Sequence, residues 1–383
     1  MSRRTDILII TPATTGGSWT FFDGFLRRLD PSIQISVCSG QKLEKKPHKM
    51  QFFSLPMPRY DKYGLLINSQ IAFVIAYSIP LLLLANLVML IERPRLIIGN
   101  GFGSCYGVLP ISRLAKSKMI ISHHGYFARY VPESLNKLIG KLQRFVDLVV
   151  VNSATSKKDV ETIISKKKLR VIEHWADQQF FQDRNREQLR SDLGMNGKFV
   201  IVFAGRIDRE KHVPFILETA MEPSLKNDFL FYFCGTGEMA KQVQENSNIH
   251  SNIRYLDYIS DRDILANLFT AADLVWAYAD ESYLARPAVE ALACGTPILV
   301  SDKPAVIRKA MEGVKVPEEL VKGIGWIIKI QDPSEAAKFL LRLKDTRILD
   351  DNLRNNCKVY ARQKHDVRNL DAFISFVIRS ISG

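Results

Sequence analysis

Short runs of β-branched and aromatic residues alternate along the whole chain with stretches of helical periodicity, the pattern of parallel sheets with helices on their faces. In the first half, DILIITP leads to a glycine turn at Thr15-Gly16-Gly17, a helical pattern through Phe21–Leu29 and the strand QISVCSG. Further strands read RLIIGNG (95–101), KMIISHHG (118–125) and DLVVVNS (147–153). A second series comprises KFVIVFAGR (198–206), FLFYFCGTG (229–237), DLVWAYAD (273–280) and TPILVSD (296–302). Between the two series, Glu173 to Asn196 is polar and poor in strand pattern, and reads as a hinge region. The pattern predicts two doubly wound α/β domains, over 1–180 and 181–364. The last helical stretch, within 365–383, is able to pack back on the first domain.

One segment departs from this alternation. Ile71–Ile91 is uncharged for 21 residues, long enough to cross a bilayer. Pro80 and Asn86 interrupt it, and it runs at once into Glu-Arg-Pro-Arg and the strand RLIIG. A span would also put two strands of one sheet in different compartments. A buried crossover helix is therefore the favoured reading, ahead of a helix with one face in the membrane interface and of a span.

At 383 residues, two domains are the natural division, and 46% apolar with 24% charged residues describes a folded globular protein. The net charge of +13 lies in one half: residues 1–185 hold 26 Lys and Arg against 13 Asp and Glu, whereas 186–383 hold 27 of each. KLEKKPHK (42–49), RLAKSK (113–118) and SKKKLR (165–170) carry the excess. Such a domain suits an anionic partner, a phosphorylated substrate or an acidic lipid surface. Nucleic acid is disfavoured, because no recognition motif or interleaved aromatic accompanies the charge. The five cysteines are odd in number and match no zinc or redox spacing, so they read as free thiols of the cytoplasm. The short apolar run Ile7–Ile10 reads as a first strand rather than as a signal peptide.

Candidate chemistry gathers in the second half. Phe203-Ala-Gly-Arg-Ile-Asp-Arg-Glu-Lys211 is a strand end, a glycine turn and the approach to a helix through VPFILETA. A helix start beyond a strand's carboxyl end offers N–H groups to a phosphate. Arg206 and Lys211 add two full charges there, the arginine as a fork for oxygen pairs. Downstream, ESYLARPAVEALACGTPILVSD (281–302) places Glu290 at the expected start of a short helix, where its carboxylate can accept both hydroxyls of a ribose. Of the two adjacent histidines, His124 is preferred over His123 because it directly precedes Gly125, where the chain leaves the sheet.

In this order and spacing, GR-x4-K, CGTG and EALACGTPILVSD resemble the retaining GT-B glycosyltransferases, in particular glycosyltransferase family four. The likeness extends to Gly16-Gly17 after the first strand, to ISHHG and to DLVVVNS. It implies a GT-B fold of two Rossmann-like domains facing a central cleft, the first for the acceptor and the second for the donor. Arg206 and Lys211 would hold the donor diphosphate, with Gly235 of CGTG beside it, and Glu290 would hold the ribose. Gly16 and Gly17 would admit a phosphate to the first-domain backbone, and His124 would lie near the transferred sugar. Glu281 is the candidate sugar-binding acid. It stands nine positions before Glu290 where the family has eight, at Ser282 here, and Tyr283, Leu284 and Ala285 replace the usual glycines.

The resemblance implies a metal-independent hexosyltransferase of cell-envelope polysaccharide assembly, with a nucleotide-diphosphate sugar as donor substrate and no cofactor. The acceptor would be a glycan or lipid-linked, at the inner face of the membrane. A non-catalytic nucleotide-sugar-binding or regulatory protein of the same fold is the competing reading. Two other signals carry no chemistry. Asp261-Arg-Asp263 imitates a metal-binding triplet but precedes ILANLFTAAD, as a helix cap does. Gly99-Asn-Gly101-Phe-Gly103 lacks the later glycine and the ribose-gripping acid of a dinucleotide fingerprint.

Overall fold

The computed structural model of the chain describes residues 5–11, 16–40, 50–54, 70–123, 133–280, 283–302, 315–329, 332–346 and 349–382. Two compact units result, one of Met1–Glu173 with Arg368–Gly383, the other of His174–Val367. The chain thus changes unit at Glu173/His174, a little before the expected 180/181, and its C-terminal helix Asp371–Ser382 counts with the first unit.

The first unit is built on strands β1 (Ile7–Thr11), β2 (Ile35–Ser39), β3 (Met50–Ser54), β4 (Leu96–Asn100), β5 (Lys118–His123), β6 (Leu148–Val151) and β7 (Leu169–Val171). Its helices are α1 (Gly16–Leu26), α2 (Gln70–Glu92), α3 (Phe102–Tyr106), α4 (Leu109–Leu114), α5 (Glu133–Leu142) and α6 (Ala154–Val160). The strands pair in parallel in the order β3-β2-β1-β4-β5-β6-β7. Every residue of β1 and β2 is buried, because a parallel sheet is covered on both faces. On one face Phe21 and Phe25 of α1 meet Phe373 of the C-terminal helix, with ring centroids 5.7 and 5.1 Å apart. On the other, residues of α2, α3, α4, α5 and α6 share one core with Leu8, Ile97 and Met119 of the sheet.

Helix α2 answers the question posed by the uncharged run. It joins β3 to β4, two strands of one sheet, so both its ends lie on the same side of any membrane. Leu81, Ala85, Val88 and Met89 bury its inner face. Asn86 donates to the carbonyls of Leu82 (2.7 Å) and Gly107 (3.2 Å), which ties the helix to the turn after α3 and satisfies the one amide of this stretch.

The second unit opens with α7 (Arg186–Asp192), followed by β8 (Phe199–Ala204), α8 (Val213–Ala220), β9 (Phe229–Cys234), α9 (Ala240–Ile249), β10 (Ile253–Leu256), α10 (Arg262–Ala271) and β11 (Leu274–Ala277). The hairpin β12 (Ala279–Asp280) and β13 (Tyr283–Leu284) leads to α11 (Arg286–Ala293), β14 (Ile298–Ser301), β15 (Gly325–Ile328), α12 (Pro333–Asp345) and α13 (Asp351–Lys364). The sheet runs β10-β9-β8-β11-β14-β15, all parallel, so its strand order reverses between β8 and β11. That reversal is the place where open α/β sheets bind ligands.

The polar stretch expected to be a hinge is in part a packed helix. Asn185 caps α7 by accepting from the Gln188 N–H, and Arg190 is buried. Its guanidinium donates to the carbonyls of Ala271 (2.8 Å) and Met195 (3.0 Å) and to Asp273 (3.0 Å). A buried arginine with its donors satisfied and its charge matched is stable in a core. The polar sequence conceals that arrangement.

Candidate nucleotide-sugar site

The loop after β8 stands at the sheet reversal and contains both expected cations. Beyond Gly205, Asp208 caps a single 3-10 turn, Arg209–Lys211, by accepting from the Lys211 N–H at 2.9 Å. His212 then takes a left-handed conformation (φ 59°) and α8 begins with Pro214 in its first turn. Arg206 is half exposed and lies 3.0 Å from Asp208 and 2.8 Å from Glu210. Lys211 extends over the ring of Tyr278, its Nζ 3.5 Å from the centroid, at the carboxyl end of β11. Burial pushes the Asp208 carboxyl above its ordinary value, against the pull of Arg206 and Lys211. The loop therefore presents cations held in place by their own carboxylates and by a ring.

Gly235 supports this loop from the neighbouring strand. Gly205 N–H donates to the Cys234 carbonyl (3.0 Å) and Ile207 N–H to that of Thr236 (2.9 Å). Gly235 has φ +139°, and a Cβ there would stand 1.9 Å from the Gly205 carbonyl oxygen. Only glycine lets the two loops approach so closely. A small hollow is lined by Lys211, His212, Trp276, Tyr278 and Ser301, at the carboxyl ends of β8, β11 and β14.

Glu290 is placed differently from the sequence expectation. Helix α11 starts at Arg286, so Glu290 lies in its middle rather than at its start, because Ala285 and Pro287 already provide the entry. The carboxylate is 2% exposed. Arg286, one turn earlier, donates to it through Nε at 2.7 Å, and Arg262 at the start of α10 donates to the same oxygen. Arg286 also reaches Asp177 at 2.9 Å, and Arg262 lies 3.7 Å from that carboxylate. Two guanidiniums and two carboxylates thus form a compact, charge-balanced cluster.

Of the other expected site residues, Gly16 and Gly17 open α1 directly after the β1 loop. His124 and Glu281 lie outside the described residues. His123 ends β5, buried and 5.2 Å from the Phe102 ring. Asp261 caps α10 through the N–H groups of Asp263 and Ile264, as expected. Gly99 is required by packing, since a Cβ there would meet Cys105 Sγ at 2.1 Å. The sequence reading missed Tyr278, Asp177 and Arg262. Asp208 and Glu210, two and four positions after Arg206, were legible as its partners.

The chain is similar to several known proteins. Spore coat protein SA of Bacillus subtilis is 29% identical over 145 residues, 34% of this chain and 38% of the relative. The D-inositol 3-phosphate glycosyltransferase of Mycobacterium marinum is 27% identical over 198 residues, 48% of this chain and 42% of the relative. The chain thus spans about two fifths of the length of these curated relatives. Among solved structures, Anabaena HepE in complex with UDP-glucose superposes with a TM-score of 0.70 at 18% identity, covering 98% of this chain and 99% of that one. Both units share the α/β GT-B fold of that structure and of WaaG, a glycosyltransferase of lipopolysaccharide biosynthesis with a TM-score of 0.66. Residues 185–364, which hold the Arg206–Lys211 loop, Gly235 and Glu290, match the family model of the glycosyl transferases group 1.

Proposed function

We propose that the protein is a retaining glycosyltransferase that moves a hexose from a nucleotide-diphosphate sugar to a glycan or lipid-linked acceptor at a membrane face. The observation that carries this reading is the Arg206–Lys211 loop at the reversal of the second sheet, within the segment that matches the glycosyl transferases group 1. HepE, solved with UDP-glucose, supports a nucleotide sugar as donor. The basic first half supports an anionic or membrane-borne acceptor.

In this reading the bond between the sugar's anomeric carbon and the β-phosphate oxygen breaks while a bond to an acceptor hydroxyl forms on the same face. The acceptor's proton passes to the departing diphosphate. Arg206 and Lys211 meet the charge that develops on that diphosphate, a role assigned to these groups and to no metal ion. Donor binding turns Arg206 from Asp208 and Glu210 toward phosphate oxygens, and Glu290 receives the ribose through Oε2, its Oε1 being held by Arg286 and Arg262.

Incubation with a panel of nucleotide sugars and a lipid or glycan acceptor fraction tests the proposal. Release of free nucleoside diphosphate and a product heavier by one sugar are expected, and Arg206→Ala with Lys211→Ala abolishes both. Donor binding without any release, across the panel, would favour a non-catalytic binding protein.

A further inference from the structure

Over the described side chains, Ile79–Glu92, helix α2 is apolar on both sides and buried on one. Its inner residues Leu81, Ala85, Val88 and Met89 lie in the core of the first unit. On the opposite side Ile79, Leu83, Leu87, Leu90 and Ile91 are exposed, with Leu83 at 68%. The spacing of four, four and three along Ile79, Leu83, Leu87 and Leu90 makes one continuous stripe over three turns. A crossover helix that faced water alone would carry polar residues there. Another helix on this face also shows an exposed leucine: α4 packs beside α2 and ends in Leu114, 82% exposed.

Cations border this surface. Arg93 follows α2, and Arg113, Lys116 and Lys118 surround Leu114, all four exposed. No acidic residue falls between Arg93 and Lys118. An apolar stripe edged by a run of like charges is complementary to the boundary between anionic headgroups and acyl chains. A protein partner would have to match both the stripe and these cations.

We propose that the outer face of α2, with Leu114 and the cations beside it, docks the first unit onto an anionic lipid bilayer, α2 lying in the plane of the interface. The surface belongs to the first unit and the Arg206–Lys211 loop to the second. It deepens the membrane-face reading of the acceptor, and its test needs no turnover, so either can fail without the other.

The test is co-sedimentation of the full chain with vesicles of phosphatidylcholine containing phosphatidylglycerol, against pure phosphatidylcholine. Binding to the anionic vesicles only is expected. Leu83→Asp with Leu87→Asp should weaken it by more than about tenfold while leaving the melting temperature and nucleotide binding unchanged. Lys116→Gln with Lys118→Gln should weaken it less and reduce its dependence on salt. Wild-type protein that ignores anionic vesicles, or a Leu83/Leu87 variant that binds like wild type, would overturn the proposal. So would a concentration-dependent dimer in sedimentation velocity that the Leu83/Leu87 variant dissolves, since the stripe would then be covered by a second copy.

Discussion

At Gly235 the backbone carries the argument by itself. The atom that a Cβ would strike is the carbonyl oxygen of Gly205, which the sheet holds in place and which cannot swing aside as a flexible side chain can. Gly235→Ala is expected to cost about 2–4 kcal/mol, read as a lower urea midpoint at unchanged slope. Wild-type stability would mean that the loops after β8 and β9 are farther apart than described. Arg206, Lys211 and Gly235 were all legible in the sequence, because each belongs to a short motif whose spacing is local. Tyr278 was not. Its ring meets Lys211 only because β11 lies beside β8, a neighbour relation that no local window contains. Tyr278→Leu is expected to leave stability within about 1 kcal/mol of wild type and to weaken donor binding. An unaltered affinity would detach the ring from the site.

Among the elements, α11 depends on distant partners. Glu290 and Arg286 sit one turn apart, and a sequence reader sees that pair, but Arg262 and Asp177 arrive from α10 and from the segment before α7. Removing one member leaves a buried charge unmatched. Arg286→Met is accordingly expected to destabilise by about 3–5 kcal/mol, and Arg286→Met with Glu290→Met by less than the sum of the two single changes. A double-mutant cycle by urea unfolding reads this directly, and strict additivity would contradict the pairing. The exposed Arg27–Asp23 pair, with the same helical spacing, should contribute no more than about 0.5 kcal/mol. The same contrast explains which strands were visible. The central strands are continuous apolar runs, as burial on both faces demands, and every one was expected. The strands β3, β7, β10 and β15 flank the sheets or end them, are short, and expose part of their length, so their sequences MQFFS, LRV, IRYL and GWII do not stand out.

Across the whole molecule, the division into two units and the placing of all excess charge in the first were readable from composition. The point of exchange between units was not, since it lies beside a contact between residues half the chain apart. There the His365 carbonyl accepts from Ala176 N–H at 2.9 Å, and the His365 ring nitrogen Nδ1 meets the His174 carbonyl at 2.8 Å. Burial lowers the His365 imidazole from 6.5 to about 4. The unfolded chain therefore takes up a proton on this ring below about pH 6.5 that the folded chain refuses down to about pH 4. Its share of stability is present at neutral pH and is lost as pH falls through that window, up to about 3 kcal/mol. Urea midpoints near pH 7 and pH 5 should differ by less in His365→Gln than in wild type. An equal pH dependence in both would mean that the ring titrates normally.

The central claim is that the Arg206–Lys211 loop holds a diphosphate, and calorimetric titration with nucleoside diphosphates tests it most directly. Wild-type protein is expected to bind one of them, and Arg206→Ala with Lys211→Ala to bind it at least about a hundredfold more weakly, two charge-assisted contacts having been removed. The melting temperature should stay close to that of the wild type, because Arg206 is exposed and Lys211 only half-buried on a surface loop. A folded double variant that binds the nucleotide as tightly as wild type would contradict the account.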